Sequence, residues 1–178
     1  MILVINVCKE SLHYYEFVAP VLNILNSMGE DYFISNYDEI NHAFLEKADK
    51  VIICGTSLYD NEYLEGISNF SWIPKYEKPI LGICAGSQVI QIMFDGELSP
   101  IKEIGATDIE FSREFLGLIG KKKVYSLHQN LVRSDAFEIY ANSQSCPHAV
   151  KHKEKPIYGV LFHPEVYNHE IIENFCRL

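Results

Sequence analysis

Pro79-Ile80-Leu81-Gly82-Ile83-Cys84-Ala85-Gly86-Ser87-Gln88-Val89-Ile90-Gln91-Ile92-Met93 decides how the rest of the chain is read. It reads as a short buried strand that runs into Cys84, followed at once by an apolar helix. Glycines stand two residues to either side of the cysteine. A sharp strand-to-helix turn needs them, because the two backbones approach closely and a Cβ at Gly82 or Gly86 would collide. This is the pattern of a nucleophile elbow with sulfur in place of oxygen. A cysteine so placed also sits at a helix N-terminus, where free N–H groups and the helix dipole favour thiolate over thiol. Taken alone, the position also suits a core cysteine ending an apolar strand.

Phe162-His163-Pro164-Glu165 follows a second apolar run, Ile157-Tyr158-Gly159-Val160-Leu161-Phe162, that reads as another buried strand. Pro164 disfavours the helical region for His163, so the chain is expected to be extended there. In an extended chain residues i and i+2 share a face, which puts the His163 imidazole beside the Glu165 carboxylate. A carboxylate beside a histidine fixes its tautomer and stabilises its imidazolium, completing a nucleophile, base and orienter.

Gly82 through Gln88, together with Gly159 through Glu165, resembles the signature pair of the class I (triad) glutamine amidotransferases. The run from Lys151 to Val166 is similar to the separate amidotransferase subunits of archaeal GMP synthases. The resemblance implies catalytic Cys84, His163 and Glu165, with L-glutamine as substrate and ammonia passed to a synthase. Backbone N–H groups near the sulfur would form an oxyanion hole: Ala85 supplies one, and Gly55, a glycine after the preceding strand, the other. Gly-Gly-Pro is usual in the family at that loop, and this chain has Gly55-Thr56-Ser57. Gln88 and His128 are carried over as substrate-binding residues. Leu161 stands where the family usually has glutamine. A chain this short lacks an ATP-binding module, so ATP and Mg²⁺ are expected only on a separate synthase subunit of the ATP pyrophosphatase type. A stand-alone γ-glutamyl hydrolase and a subunit of another amination pathway are the alternative readings.

The rest of the chain agrees with an α/β domain. Its 178 residues suit one domain spanning 1–178, and 48% apolar content suits a globular core. No stretch approaches the roughly 20 apolar residues of a membrane span, and the N-terminus lacks a signal-peptide pattern, so a cytoplasmic setting is expected. Five scattered cysteines fit a reducing compartment. No local spacing suggests a metal, and Cys8, Cys54, Cys146 and Cys176 read as packing residues. A formal net charge of −9 argues against nucleic acid as the main partner.

Strands are expected at Ile2 to Val7, Asp31 to Ser35 and Val51 to Cys54, alternating with helical patterns through Met28 and from Ile40 to Ala48. Gly29 is a natural helix stop, and Pro20 implies a helix that begins near Ala19 or begins earlier and bends. Alternation of this kind implies a mostly parallel, doubly wound, flavodoxin-like sheet with helices on both faces, whose ligands bind at the carboxyl ends of the strands. Past Met93, short segments around Ile109, Leu118 and Lys123 to Leu127 imply a small antiparallel region, with Lys121-Lys122-Lys123 at a hairpin tip. His169 to Leu178 reads as a closing helix.

Overall fold

The computed structural model describes residues 1–178. Nine strands form one sheet: β1 (Ile2–Asn6), β2 (Tyr32–Asn36), β3 (Lys50–Ile53), β4 (Ile80–Ile83), β5 (Glu97–Phe115), β6 (Leu118–Arg133), β7 (Phe137–Asn142), β8 (Pro147–His152) and β9 (Ile157–Val160). Their order is β2-β1-β3-β4-β9-β8-β7-β5-β6. The pairings from β2 to β9 are parallel and those from β9 to β6 antiparallel. Short apolar runs such as Leu3-Val4-Ile5 and Val51-Ile52-Ile53 fill the parallel half because it is covered on both sides. Within β1, Ile2 and Val4 face one apolar cluster while Leu3 and Ile5 face another.

The helices are α1 (Ser11–His13), α2 (Ala19–Met28), α3 (His42–Lys47), α4 (Glu62–Glu65), α5 (Ala85–Ile92) and α6 (Glu170–Cys176). One face of the sheet is covered by α2 and α6, through Val21, Leu22, Leu25, Ile171, Ile172 and Phe175. Phe44 and Leu45 of α3 and Val89 and Ile90 of α5 cover the other. Full burial of each such side chain contributes about 1.5–3 kcal/mol. Gly29 ends α2 in the left-handed region at φ 72°, and the Glu30 N–H returns to the Leu25 carbonyl.

The structure settles one alternative of the sequence reading and departs from it in two places. The first helix begins at Ser11 and passes through a wide π-turn, Tyr14–Val18, before Pro20. Pro20 has no N–H for the usual helical bond, and the Ala19 N–H donates to Tyr14 O, five residues back. The antiparallel region is a long hairpin, β5–β6, continuous with the main sheet and turning at Leu116-Gly117. Lys121, Lys122 and Lys123 therefore lie inside β6, opposite Glu110, Ile109 and Asp108, and not at its tip. Finally, the chain turns after His163: the Val166 N–H donates to His163 O and the Asn168 N–H to Pro164 O.

Candidate active site

Cys84 caps α5 with φ 48° and ψ −103°, a region that L-residues avoid. The crowding beneath it explains the strain. A Cβ on Gly86 would lie 2.2 Å from the Ile53 carbonyl oxygen, and one on Gly82 would lie 2.5 Å from that of Gly86. With β4 and α5 in backbone contact, the chain reverses within one residue, and Cys84 is presented at the carboxyl end of β4. Its Sγ lies 3.5 Å from the Leu127 carbonyl oxygen.

His163 arrives at the same end from β9. Its N–H donates to Tyr125 O of β6, while Phe17 from the π-turn packs on its ring at 5.2 Å. The turn after His163 brings the Glu165 carboxylate to Nδ1 at 2.7 Å, with both side chains buried. Nε2 is left buried without a hydrogen-bond partner. Burial alone would depress the His163 pKa; the charges of Glu165 and Cys84 outweigh it and hold the imidazole well above the ordinary histidine range.

Gly55 lies against both groups. A Cβ built on it would stand 2.7 Å from His163 Cε1 and 3.2 Å from Cys84 Cβ. The N–H groups of Gly55 and Ala85 both lack an acceptor in the protein. The altered loop is tied down by Asp60, a buried carboxylate that accepts from Thr56 Oγ1 at 2.7 Å and from the Lys9 N–H at 2.9 Å.

The cavity beside Cys84 is bounded by Thr56 to Leu58, Tyr63, Gln88 and Leu127 to Asn130, and measures only about 10 Å³. That is room for one water at most. Gln129 closes it, donating from Nε2 to Leu58 O at 2.5 Å. Gln88 lies in the wall, its amide engaged by Tyr63 Oη at 2.6 Å and by Asn130 O at 3.0 Å. His128 also lines this cavity. Its Nδ1 meets Ile101 O at 3.3 Å and its Nε2 meets Glu103 at 3.2 Å, so both ring nitrogens are engaged within the protein.

Sequence reasoning thus reached Cys84, His163, Glu165, Gly55 and Ala85, which the structure brings together, but missed Asp60, Tyr63 and Gln129. It also missed a buried cluster of Glu103, His128, Cys146 and His148. These residues come from three strands and the approach to one of them, so no local spacing announces them.

The glutamine amidotransferase class-I family matches residues 13–177. A glutamine-hydrolysing GMP synthase subunit of Methanocaldococcus jannaschii is 39% identical over 112 residues, 56% of this chain and 60% of that one. The glutamine-hydrolysing GMP synthase of Listeria welshimeri is 42% identical over 110 residues, 55% of this chain and 21% of that one. The chain therefore aligns with less than two thirds of the length of either. A crystal structure from Thermoplasma acidophilum, described as a GMP synthase subunit, superposes with TM-score 0.86 at 28% identity, covering 98% of this chain and 90% of that one. With the family matched across nearly the whole length, elbow and His-Pro-Glu segment included, the chain belongs to the class-I glutamine amidotransferases.

Proposed function

We propose that this chain hydrolyses L-glutamine to glutamate and ammonia, and that a separate ATP-dependent synthase of the ATP pyrophosphatase type uses the ammonia to aminate XMP to GMP. One observation carries the glutaminase reading: a strained, buried Cys84 and a Glu165-paired His163 meet on either side of Gly55. The Cys84 thiolate attacks the amide carbon of glutamine, and the Gly55 and Ala85 N–H groups hold the oxyanion. His163 Nε2–H then protonates the leaving nitrogen, ammonia departs, and a glutamyl thioester remains on Cys84. Neutral His163 next takes a proton from water; the hydroxide attacks the thioester, and glutamate leaves as the thiolate re-forms. ATP and Mg²⁺ belong to the synthase, and five free cysteines suit a reducing cytoplasm.

The pinched cavity supports dependence on a partner. A cavity of about 10 Å³ cannot take glutamine, still less the larger substrates of a γ-glutamyl hydrolase, until Gln129 leaves Leu58. Ammonia release from glutamine is expected to rise at least about tenfold when an XMP-aminating subunit, ATP, Mg²⁺ and XMP are added, a coupling of about 1.4 kcal/mol. Full turnover by the chain alone would reject the partner dependence, and no thioester or ammonia with any aminating subunit would reject the glutaminase reading.

The proton on His163 sets the alkaline limit. Its raised pKa keeps it protonated through neutral pH, so the imidazolium needed to release ammonia is lost only as pH climbs through that raised value. Glu165→Gln removes the nearest negative charge and lowers the pKa. The alkaline limb of kcat/KM should therefore move to lower pH. An unmoved limb would mean that Glu165 does not control His163.

A further inference from the structure

We propose that Glu103, His128, Cys146 and His148 form a closed tetrahedral zinc site that braces the strands behind the catalytic cysteine and histidine. Glu103 comes from β5, His128 from β6 directly opposite it, Cys146 from the approach to β8, and His148 from β8 itself. One donor atom from each lies within 4.8 Å of all the others. Both histidines and Cys146 are buried, and the set is two imidazoles, a thiol and a carboxylate, which suits zinc in fourfold coordination.

With His128 a neutral imidazole, the hydrogen-bond inventory of the cluster is one positive charge short. Glu103 Oε2 is approached by His148 Nε2 at 2.6 Å, His128 Nε2 at 3.2 Å and Cys146 Sγ at 3.8 Å. A neutral imidazole carries one N–H. In the tautomer with its proton on Nδ1, His128 donates to the Ile101 carbonyl at 3.3 Å. Its Nε2 lone pair then points at a carboxylate oxygen, an arrangement that repels unless an extra positive charge lies between them. Zn²⁺ supplies the charge by displacing the Cys146 thiol proton and taking the Nε2 lone pairs, His148 then carrying its proton on Nδ1.

The surroundings hold two of the four ligands in place, while His148 Nδ1 is buried with no partner of its own. Ile101 O orients His128, and Ser143 Oγ donates to Glu103 Oε1 at 2.9 Å, steadying the carboxylate. The site is coupled to the catalytic groups through short links. His128 follows Leu127, whose carbonyl meets Cys84 Sγ; His148 O accepts from the Leu161 N–H, and its ring stacks on Phe162, next to His163. Four protein ligands leave no open position, so the role is structural.

The test uses the Cys84→Ala chain, so that the nucleophile contributes no metal signal. Elemental analysis after dialysis should find about one zinc per chain. Metal-stripped protein given zinc at about a hundredfold over Kd should gain about 5–10 °C in Tm. Cobalt in its place should show tetrahedral visible bands and a thiolate charge-transfer band. Cys146→Ser should lose the charge-transfer band, and His148→Ala should lose stoichiometric zinc; Glu103→Gln, nearly isosteric, serves if either fails to fold. No bound zinc together with an unchanged Tm on adding it would overturn the proposal and leave a proton-shared cluster. A cobalt spectrum that survives all three substitutions would also overturn it.

Discussion

Cys84→Ala should lose at least about 10⁴-fold in glutaminase activity, measured in the presence of the synthase, while leaving the fold intact. Alanine keeps the backbone and its strain but offers no nucleophile. Cys84→Gly should be as inactive and yet more stable than Cys84→Ala. At φ 48° and ψ −103° an L-residue carries strain of about 1–3 kcal/mol, whereas glycine occupies this mirror region freely. Glycine's greater entropy in the unfolded chain takes back about 0.5–1 kcal/mol. A net gain of about 1 kcal/mol corresponds to a Tm about 2–4 °C above that of the alanine variant. Activity within tenfold of wild type in either variant would remove Cys84 from the nucleophile's role. A glycine variant less stable than the alanine one would show that the elbow stores no strain.

Sequence reading succeeded where the backbone itself imposes a local constraint. Gly82 and Gly86 are legible because no side chain fits where α5 touches β4 or where it touches β3, and those contacts dictate where Cys84 points. The covered parallel strands are legible because both of their faces are apolar. The turn after His163 was missed because Pro164 restricts His163 and says nothing about Val166 and Asn168. The β5–β6 hairpin was read as fragments because its outer face is polar and Gly105 and Gly120 interrupt the pattern at positive φ. The partners of Glu103 depend on strand register over 25 to 45 residues, which no local pattern encodes. Closure of the cavity beside Cys84 by Gln129 likewise rests on one side-chain bond across 71 residues.

Gly55→Ala should lower kcat by about 10²–10³-fold without removing any catalytic group. The alanine keeps the N–H assigned to the oxyanion, so a loss cannot be attributed to a missing donor. Its Cβ, however, would stand 2.7 Å from His163 Cε1 and 3.2 Å from Cys84 Cβ, and something must shift. The His163 ring cannot swing away cheaply, being held by Glu165 at 2.7 Å and packed by Phe17 at 5.2 Å. Gly55 is tied as well, since its carbonyl accepts from Cys8 Sγ at 3.6 Å and Thr56 beside it is anchored on Asp60. Overpacking of this kind costs about 1–3 kcal/mol of stability and displaces the imidazole from the sulfur. The loss should fall on kcat more than on KM, and labelling of Cys84 by a glutamine-like electrophile should slow with it, because both need thiolate and imidazole in register. If kcat stays within about threefold of wild type, the loop yields instead, and the absence of a side chain at Gly55 is not what keeps Cys84 and His163 in reach of each other.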